Sequence, residues 1–372
     1  MMNTELVKVS VIMPIYNAED YLRPAIDSVL DGTLREIELI CVDDGSTDRS
    51  LDIIKEYQKN DARVRIITEN NAGPSLARNK GLSRARGEYV IFLDADDFSE
   101  PTMLEKLYGL SVEKELDIAI SKYDLYNDKR ARFEPAIPSD HGEIFEGGAI
   151  VSKNDYPDYI LQCTTGYVWN KLWRRAFLLE KQLQFDTELR VFEDTCFIVT
   201  ALSLASRVGK VQEVLTHHRV YSDQTKNKLF KKYYGQVPVL YAKIKEFMRA
   251  RGMYAPLSQS FLNLSCSRCY KIYNLLWSDA KESFWEMLHG EYAEALGWTL
   301  ASPEEFESVD VRDFCANVIM YSHEQYERRE KQGRRVRIAS VGVAIKNTNK
   351  RKKIKQFFKN LFGGRKKESD TL

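Results

Sequence analysis

Two phosphate-gripping glycine patterns are missing from this 372-residue sequence. Neither GxGxxG nor GxxxxGK[ST] follows an apolar run, so the signatures of dinucleotide and P-loop binding are absent. Cysteine is sparse. Of six residues, Cys266 and Cys269 make a close pair, without the second pair that a zinc site of that spacing needs. The six read as reduced, buried thiols of a cytosolic protein. Long apolar runs are lacking too: Thr195 to Ser206 is too short to span a bilayer. No secretory leader is expected, because Glu5 precedes the first apolar run and Pro14 ends it. Net charge is almost nil at +1, but it is unevenly placed. Residues 346–372 hold ten Lys/Arg against two Asp/Glu, a net of +8, which leaves −7 on the other residues. A basic tail on an acidic body points to an anionic surface as partner.

What is present is organised around Glu88-Tyr-Val-Ile-Phe-Leu-Asp94-Ala95-Asp96-Asp97. The apolar run reads as a strand buried on both faces. It ends in three carboxylates at the sheet edge where open α/β sheets bind ligands. Crowded carboxylates need a cation to neutralise them, and a hard divalent ion carrying a diphosphate suits them; a solvated turn is the plainer alternative. Residues 7–16 make a first strand, Ile37 to Val42 a second and Val64 to Thr68 a third. Amphipathic helices separate them, the first opened by a capping box from Asn17 to Asp20, the third by Pro74 in its first turn. Strands alternating with helices predict a doubly wound, mainly parallel α/β sheet.

The segments VSVIMPIYNAEDYL, LICVDDGSTDRS, NAGPSLARNKGL and GEYVIFLDADD, in this order, resemble family 2 glycosyltransferases of the GT-A fold, of the bacterial surface-polysaccharide type. The resemblance covers about the first 110 residues densely. It implies that Pro14, Tyr16 and Asn17, with Asp43 and Asp44, hold the base and ribose of a nucleotide-sugar. For Asp43 and Asp44 a turn or helix cap is the alternative. It places Arg78 near the nucleotide or its diphosphate, and it makes Asp94-Ala95-Asp96 a DxD element. Asp96 is then the expected ligand of Mn²⁺ or Mg²⁺, with Asp94 nearer ribose or sugar. Farther on, a Trp169-Asn170-Lys171 segment precedes Glu193-Asp194, and the resemblance puts the catalytic base at Asp194. The plainer role for Glu193 and Asp194 is to cap the apolar helix that follows. In Thr216-His217-His218-Arg219, the resemblance brings His217 or Arg219 close to the diphosphate.

The expected domains are a GT-A catalytic domain over residues 1–222, a helical region over 223–345 and a basic amphipathic tail over 346–372. Within the first, 1–110 form the nucleotide-sugar half and 111–222 the acceptor half. Residues 127–158 read as a long variable loop. Ile354, Phe357, Phe358, Leu361 and Phe362 line one side of a helical pattern behind Lys350-Arg-Lys-Lys353. That pattern predicts a membrane-surface anchor through 350–367 rather than a nucleic-acid tail, since aromatics on one face have no use against a phosphate backbone alone. The reading is an inverting, metal-dependent glycosyltransferase, cytoplasmic and peripheral to the inner face of the plasma membrane. It would move a sugar from a UDP-sugar to a glycan or lipid-linked acceptor in surface-polysaccharide synthesis. A nucleotidyltransferase and a non-catalytic carbohydrate-binding module are the alternatives.

Overall fold

A computed structural model describes residues 6–136, 141–221 and 225–331. The tail at 346–372, with its expected membrane contact, lies outside the described residues. Two compact units divide between Lys231 and Lys232, where the sequence had placed the change at 222.

The first unit is built on β1 (Val9–Ile15), α1 (Leu22–Leu30), β2 (Ile37–Asp43), α2 (Ser50–Asn60), β3 (Val64–Thr68), α3 (Pro74–Arg84) and β4 (Tyr89–Phe92). β3, β2, β1 and β4 lie side by side and parallel, so the ends of β2, β1 and β4 share one edge. Val90, Ile91 and Phe92 are wholly buried, as a central strand covered on both faces requires. Burying each such side chain contributes about 1.5–3 kcal/mol. Pro14 is tolerated inside this sheet because β4 pairs with β1 only as far as Ile12, so no neighbour there needs the missing N–H. Gly81 lets α3 press on β1: a Cβ there would lie 2.3 Å from Ile12 Cγ2.

Beyond β4 the sheet turns mixed. β5 (Phe98–Ser99), α4 (Met103–Glu113), β6 (Ile118–Asn127), β7 (Arg132–Pro135), β8 (Lys171–Arg174), α5 (Arg175–Glu180), α6 (Glu193–Leu204) and β9 (Val208–Val220) follow. β8 enters antiparallel between β4 and β6, and β9 runs parallel to β6 and antiparallel to β5. One expectation changes here. The expected loop at 127–158 begins with the β6–β7 hairpin, and Val151 bridges to Val208. The Trp169–Trp173 run is buried, and from Lys171 it forms the sheet strand β8.

In the second unit, helices Gln236–Ala250, Ser258–Leu275, Ser278–Met287 and Val309–Met320 are packed around buried aromatics. Trp285 Nε1 donates to the Tyr321 carbonyl at 2.9 Å and Trp298 Nε1 to Ser265 Oγ at 3.2 Å, so both buried indoles are satisfied. Cys266, Cys269 and Cys315 are buried thiols in this core. Among the described residues no helix is long and apolar enough to cross a membrane.

Candidate active site

The shared edge of β2, β1 and β4 gathers the polar residues singled out in the sequence. Arg78 stands one turn into α3, buried, and reaches across the end of β4. Its Nη2 donates to Asp94 Oδ1 at 2.8 Å and its Nη1 to Asp194 Oδ1 at 2.9 Å, with Glu193 Oε1 at 3.3 Å. The guanidinium also lies over the Phe185 ring, 5.3 Å from its centroid. Burial alone would lower the Arg78 pKa, but Asp194, Asp94 and Glu193 raise it, so it stays a cation. One positive charge then faces three carboxylates and cannot neutralise them all. Burial pushes Asp194 up to about 8 against the pull of Arg78, with Glu193 and Asp94 adding repulsion. Glu193 and Asp194 lie in the first turn of α6 without capping it: Phe192, at φ 60°, holds the N-cap position and no side chain caps the helix. A bulky residue in the left-handed region is uncommon, and such backbone is found where a site holds it in place.

Asp94, Asp96 and Asp97 each offer an oxygen, and these atoms lie within 4.8 Å of one another. Burial, then repulsion from Asp97 and Asp94, pushes Asp96 up to about 7. Hard oxygen donors at this spacing, short of positive charge, fit a divalent cation. The intervening Ala95 is buried. Asp97 is fixed from behind: His218 Nδ1 faces its two oxygens at 2.9 and 3.0 Å, and the Arg219 N–H donates to Oδ1 at 2.9 Å. The His218 ring stacks on Trp169 at 5.2 Å.

Other expected residues are placed differently. His217 points away from the acidic cluster, because adjacent strand residues face opposite sides. Its Nδ1 faces Asp124 Oδ1 at 2.6 Å and its Nε2 faces Glu100 Oε1 at 3.1 Å. Of the two histidines it is therefore His218, and not the expected His217, that meets the acidic cluster. Arg219 Nε donates to the Asp96 carbonyl at 3.0 Å and its Nη1 pairs with Asp128 at 2.5 Å. Its guanidinium sits within 5.1 to 5.3 Å of the Tyr21, Phe98 and Tyr126 rings. Asp44 takes the turn role: its oxygens accept the Ala72 and Gly73 N–H groups, both at 2.7 Å. That leaves Asp43, buried at the end of β2, where its Oδ1 accepts the Ser46 N–H at 3.3 Å.

Asn17 forms no capping box. Tyr21 holds the N-cap position of α1 without a side-chain cap. Asn17, at φ 48°, instead accepts the Thr47 N–H at 2.8 Å and so ties the loops after β1 and β2. Tyr16 beside it is half exposed, and Pro14 lies beneath. Below the cluster, buried Lys171 donates to the Thr165 and Tyr167 carbonyls and to Asn170 Oδ1, at 3.1, 2.6 and 2.8 Å. Burial draws its pKa down to about 7, against the pull of Cys163 and Asp194 and with added repulsion from Lys210. The reading of the sequence missed Tyr221, whose hydroxyl donates to Asp96 Oδ2 at 3.0 Å. No spacing rule signals that contact, since it depends on the pairing of β9 with β5, the short strand just after Asp96.

The sequence profile described as glycosyl transferase family 2 matches residues 10–197. The uncharacterized glycosyltransferase EpsJ of Bacillus subtilis is 35% identical over 216 residues, 57% of this chain and 60% of EpsJ. The poly(ribitol-phosphate) beta-glucosyltransferase of Bacillus spizizenii is 31% identical over 210 residues, 55% of this chain and 31% of that enzyme. The chain thus spans less than two thirds of either relative's length. The crystal structure of S. aureus TarS 1-349 in complex with UDP-GlcNAc superposes with a TM-score of 0.70 at 21% identity, covering 89% of this chain and 93% of that one. With the profile covering the strands and helices that carry the acidic edge, and with a GT-A fold around it, this chain belongs to glycosyl transferase family 2.

Proposed function

We propose that this family 2 glycosyltransferase moves a sugar from a nucleotide-sugar, read as a UDP-sugar, to a hydroxyl of a glycan or lipid-linked acceptor in cell-surface polysaccharide assembly. The reaction inverts the anomeric centre and uses Mn²⁺ or Mg²⁺. The observation that carries this reading is the reach of Arg78, which holds Asp94 by one nitrogen and Asp194 by another. The first carboxylate of the DxD element and the candidate base are thereby held across one rigid fork.

In this reading Asp96 and Asp94 hold the ion, and Pro14, Tyr16, Asn17 and Asp43 receive base and ribose. A bound divalent ion would offset the charge on the departing diphosphate. Arg78 occupies one oxygen of Asp194 and orients the carboxylate. Asp194 takes the acceptor's hydroxyl proton as that oxygen attacks the anomeric carbon and the bond to the diphosphate oxygen breaks. A base held near pH 8 matches a proton taken from an alcohol better than an ordinary carboxylate does. The beta-glucosyltransferase activity of the poly(ribitol-phosphate) relative and the UDP-GlcNAc in the TarS complex support a nucleotide-sugar donor and a surface-polymer acceptor. The basic, aromatic pattern of 350–367 supports a place on the cytoplasmic face of the membrane.

The test is a panel of UDP- and GDP-sugars scored for thermal stabilisation with Mn²⁺ and again with EDTA. A ligand that binds the folded state raises the melting point by mass action. At least one UDP-sugar stabilises only with the cation if the reading holds; no stabilisation by any nucleotide-sugar overturns it.

A further inference from the structure

Asp96 is gripped from the end of β9 at two points. Arg219 Nε donates to its carbonyl at 3.0 Å, and the Tyr221 hydroxyl donates to its Oδ2 at 3.0 Å. The Tyr221 ring in turn stacks on Tyr21, with centroids 5.1 Å apart and 25° between planes. Tyr21 belongs to the turn that joins Asn17 to α1, in the stretch read as touching the nucleotide. A phenol donating to one carboxylate oxygen spends only part of its acceptor capacity, leaving the remainder for an ion shared with Asp94 and Asp97. Partners behind a metal ligand fix its orientation and tune affinity. The plainer role for Tyr221 is packing alone, through the stack. The two roles are separable because phenylalanine keeps the ring and loses the donor.

We propose that Tyr221 is a positioning residue for the cation site: its hydroxyl holds Asp96 in the ion-binding orientation, and its stack on Tyr21 links that orientation to the nucleotide loop. This rests on the metal-dependent reading above. It implies that cation and nucleotide assist each other's binding and that the Tyr21–Tyr221 contact carries part of that assistance.

The experiment titrates Mn²⁺ into the full chain, following loss of the free-ion electron paramagnetic resonance signal, with and without UDP. Tyr221→Phe, Tyr221→Leu and Asp96→Asn are compared with the unaltered protein, each with a melting curve. Tyr221→Phe is expected to weaken Mn²⁺ binding about tenfold, within the range for partners behind metal ligands, with the melting point unchanged. Tyr221→Leu is expected to diminish, in addition, the tightening of Mn²⁺ by UDP. Mn²⁺ binding by Tyr221→Phe within twofold of the unaltered protein overturns the inference, and if Asp96→Asn still abolishes binding, the metal reading stands without it. If the unaltered protein binds Mn²⁺ no better than Asp96→Asn, the metal reading itself fails and takes the inference with it. If Phe lowers the melting point, Tyr221→His decides, since it restores a donor on a stacking ring. Recovered Mn²⁺ affinity supports the inference and unrecovered affinity overturns it.

Discussion

Arg78 and Asp194, 116 residues apart in sequence, meet at 2.9 Å in a partly buried ion pair at the edge of the sheet. The same guanidinium holds Asp94 at 2.8 Å, so removing it leaves partly buried negative charge uncompensated. Arg78→Met is expected to destabilise the fold by about 3–5 kcal/mol. Arg78→Lys recovers only part of this, because an ammonium lacks the fork that reaches both carboxylates. Urea unfolding at pH 8 measures both variants. The loss for Arg78→Met shrinks at pH 5, where the orphaned carboxylates can take protons.

Asp194→Asn preserves shape but cannot accept a proton. Turnover is expected to fall by about 10² or more, with donor affinity nearly unchanged. Collapse of donor binding with surviving turnover would make Asp194 a binding residue and move the base elsewhere, first to Glu193.

The raised pKa of Asp194 also sets a pH dependence. An acid whose folded pKa of about 8 lies well above the ordinary carboxylate range stabilises the fold at low pH. It loses that contribution as pH rises through the folded value, because the folded state binds more protons in between. The urea midpoint of the ligand-free protein should therefore fall between pH 5 and pH 8, and Asp194→Asn should flatten this slope. In the same window kcat/KM should rise with pH towards a plateau above about 8. A flat profile, or an identical one in a variant with residual activity such as Asp194→Asn, would detach the limb from Asp194.

Truncation after Thr348 removes the basic aromatic pattern at 350–367. The shortened chain should no longer co-sediment with anionic liposomes, while its metal-dependent hydrolysis of soluble donor continues. Salt should weaken binding of the intact chain only in part, since it screens the charges, worth about 1 kcal/mol each, and not the aromatics. Undiminished co-sedimentation after truncation would remove the anchor role.

Much of the parallel half could be read in the chain itself. Val64–Thr68 is bounded as expected, and Pro74 opens α3 at N1, because apolar runs and turn residues there agree. Local pattern failed where partners are distant. Asn17 resembles a cap in sequence, yet its oxygen is taken by Thr47 N–H, 30 residues away. Asp44 and Asp43 are indistinguishable as neighbours, and only the approach of Ala72 and Gly73 commits Asp44 to the turn. The choice between His217 and His218 depends on the register of β9, which shifts against β6 between Ser121 and Tyr123. The short, mostly exposed β7 has no apolar alternation to announce it, and β8 is a four-residue strand within a longer buried run.

The central claim is that Asp94 and Asp96 serve a cation-dependent transfer of sugar from a nucleotide. It is tested most directly by release of UDP from the stabilising UDP-sugar, followed with Mn²⁺ and with EDTA, in the intact chain and in Asp96→Ala. The account predicts turnover that requires the cation and disappears in Asp96→Ala while the fold survives. Undiminished turnover in EDTA, or full activity in Asp96→Ala, would contradict it.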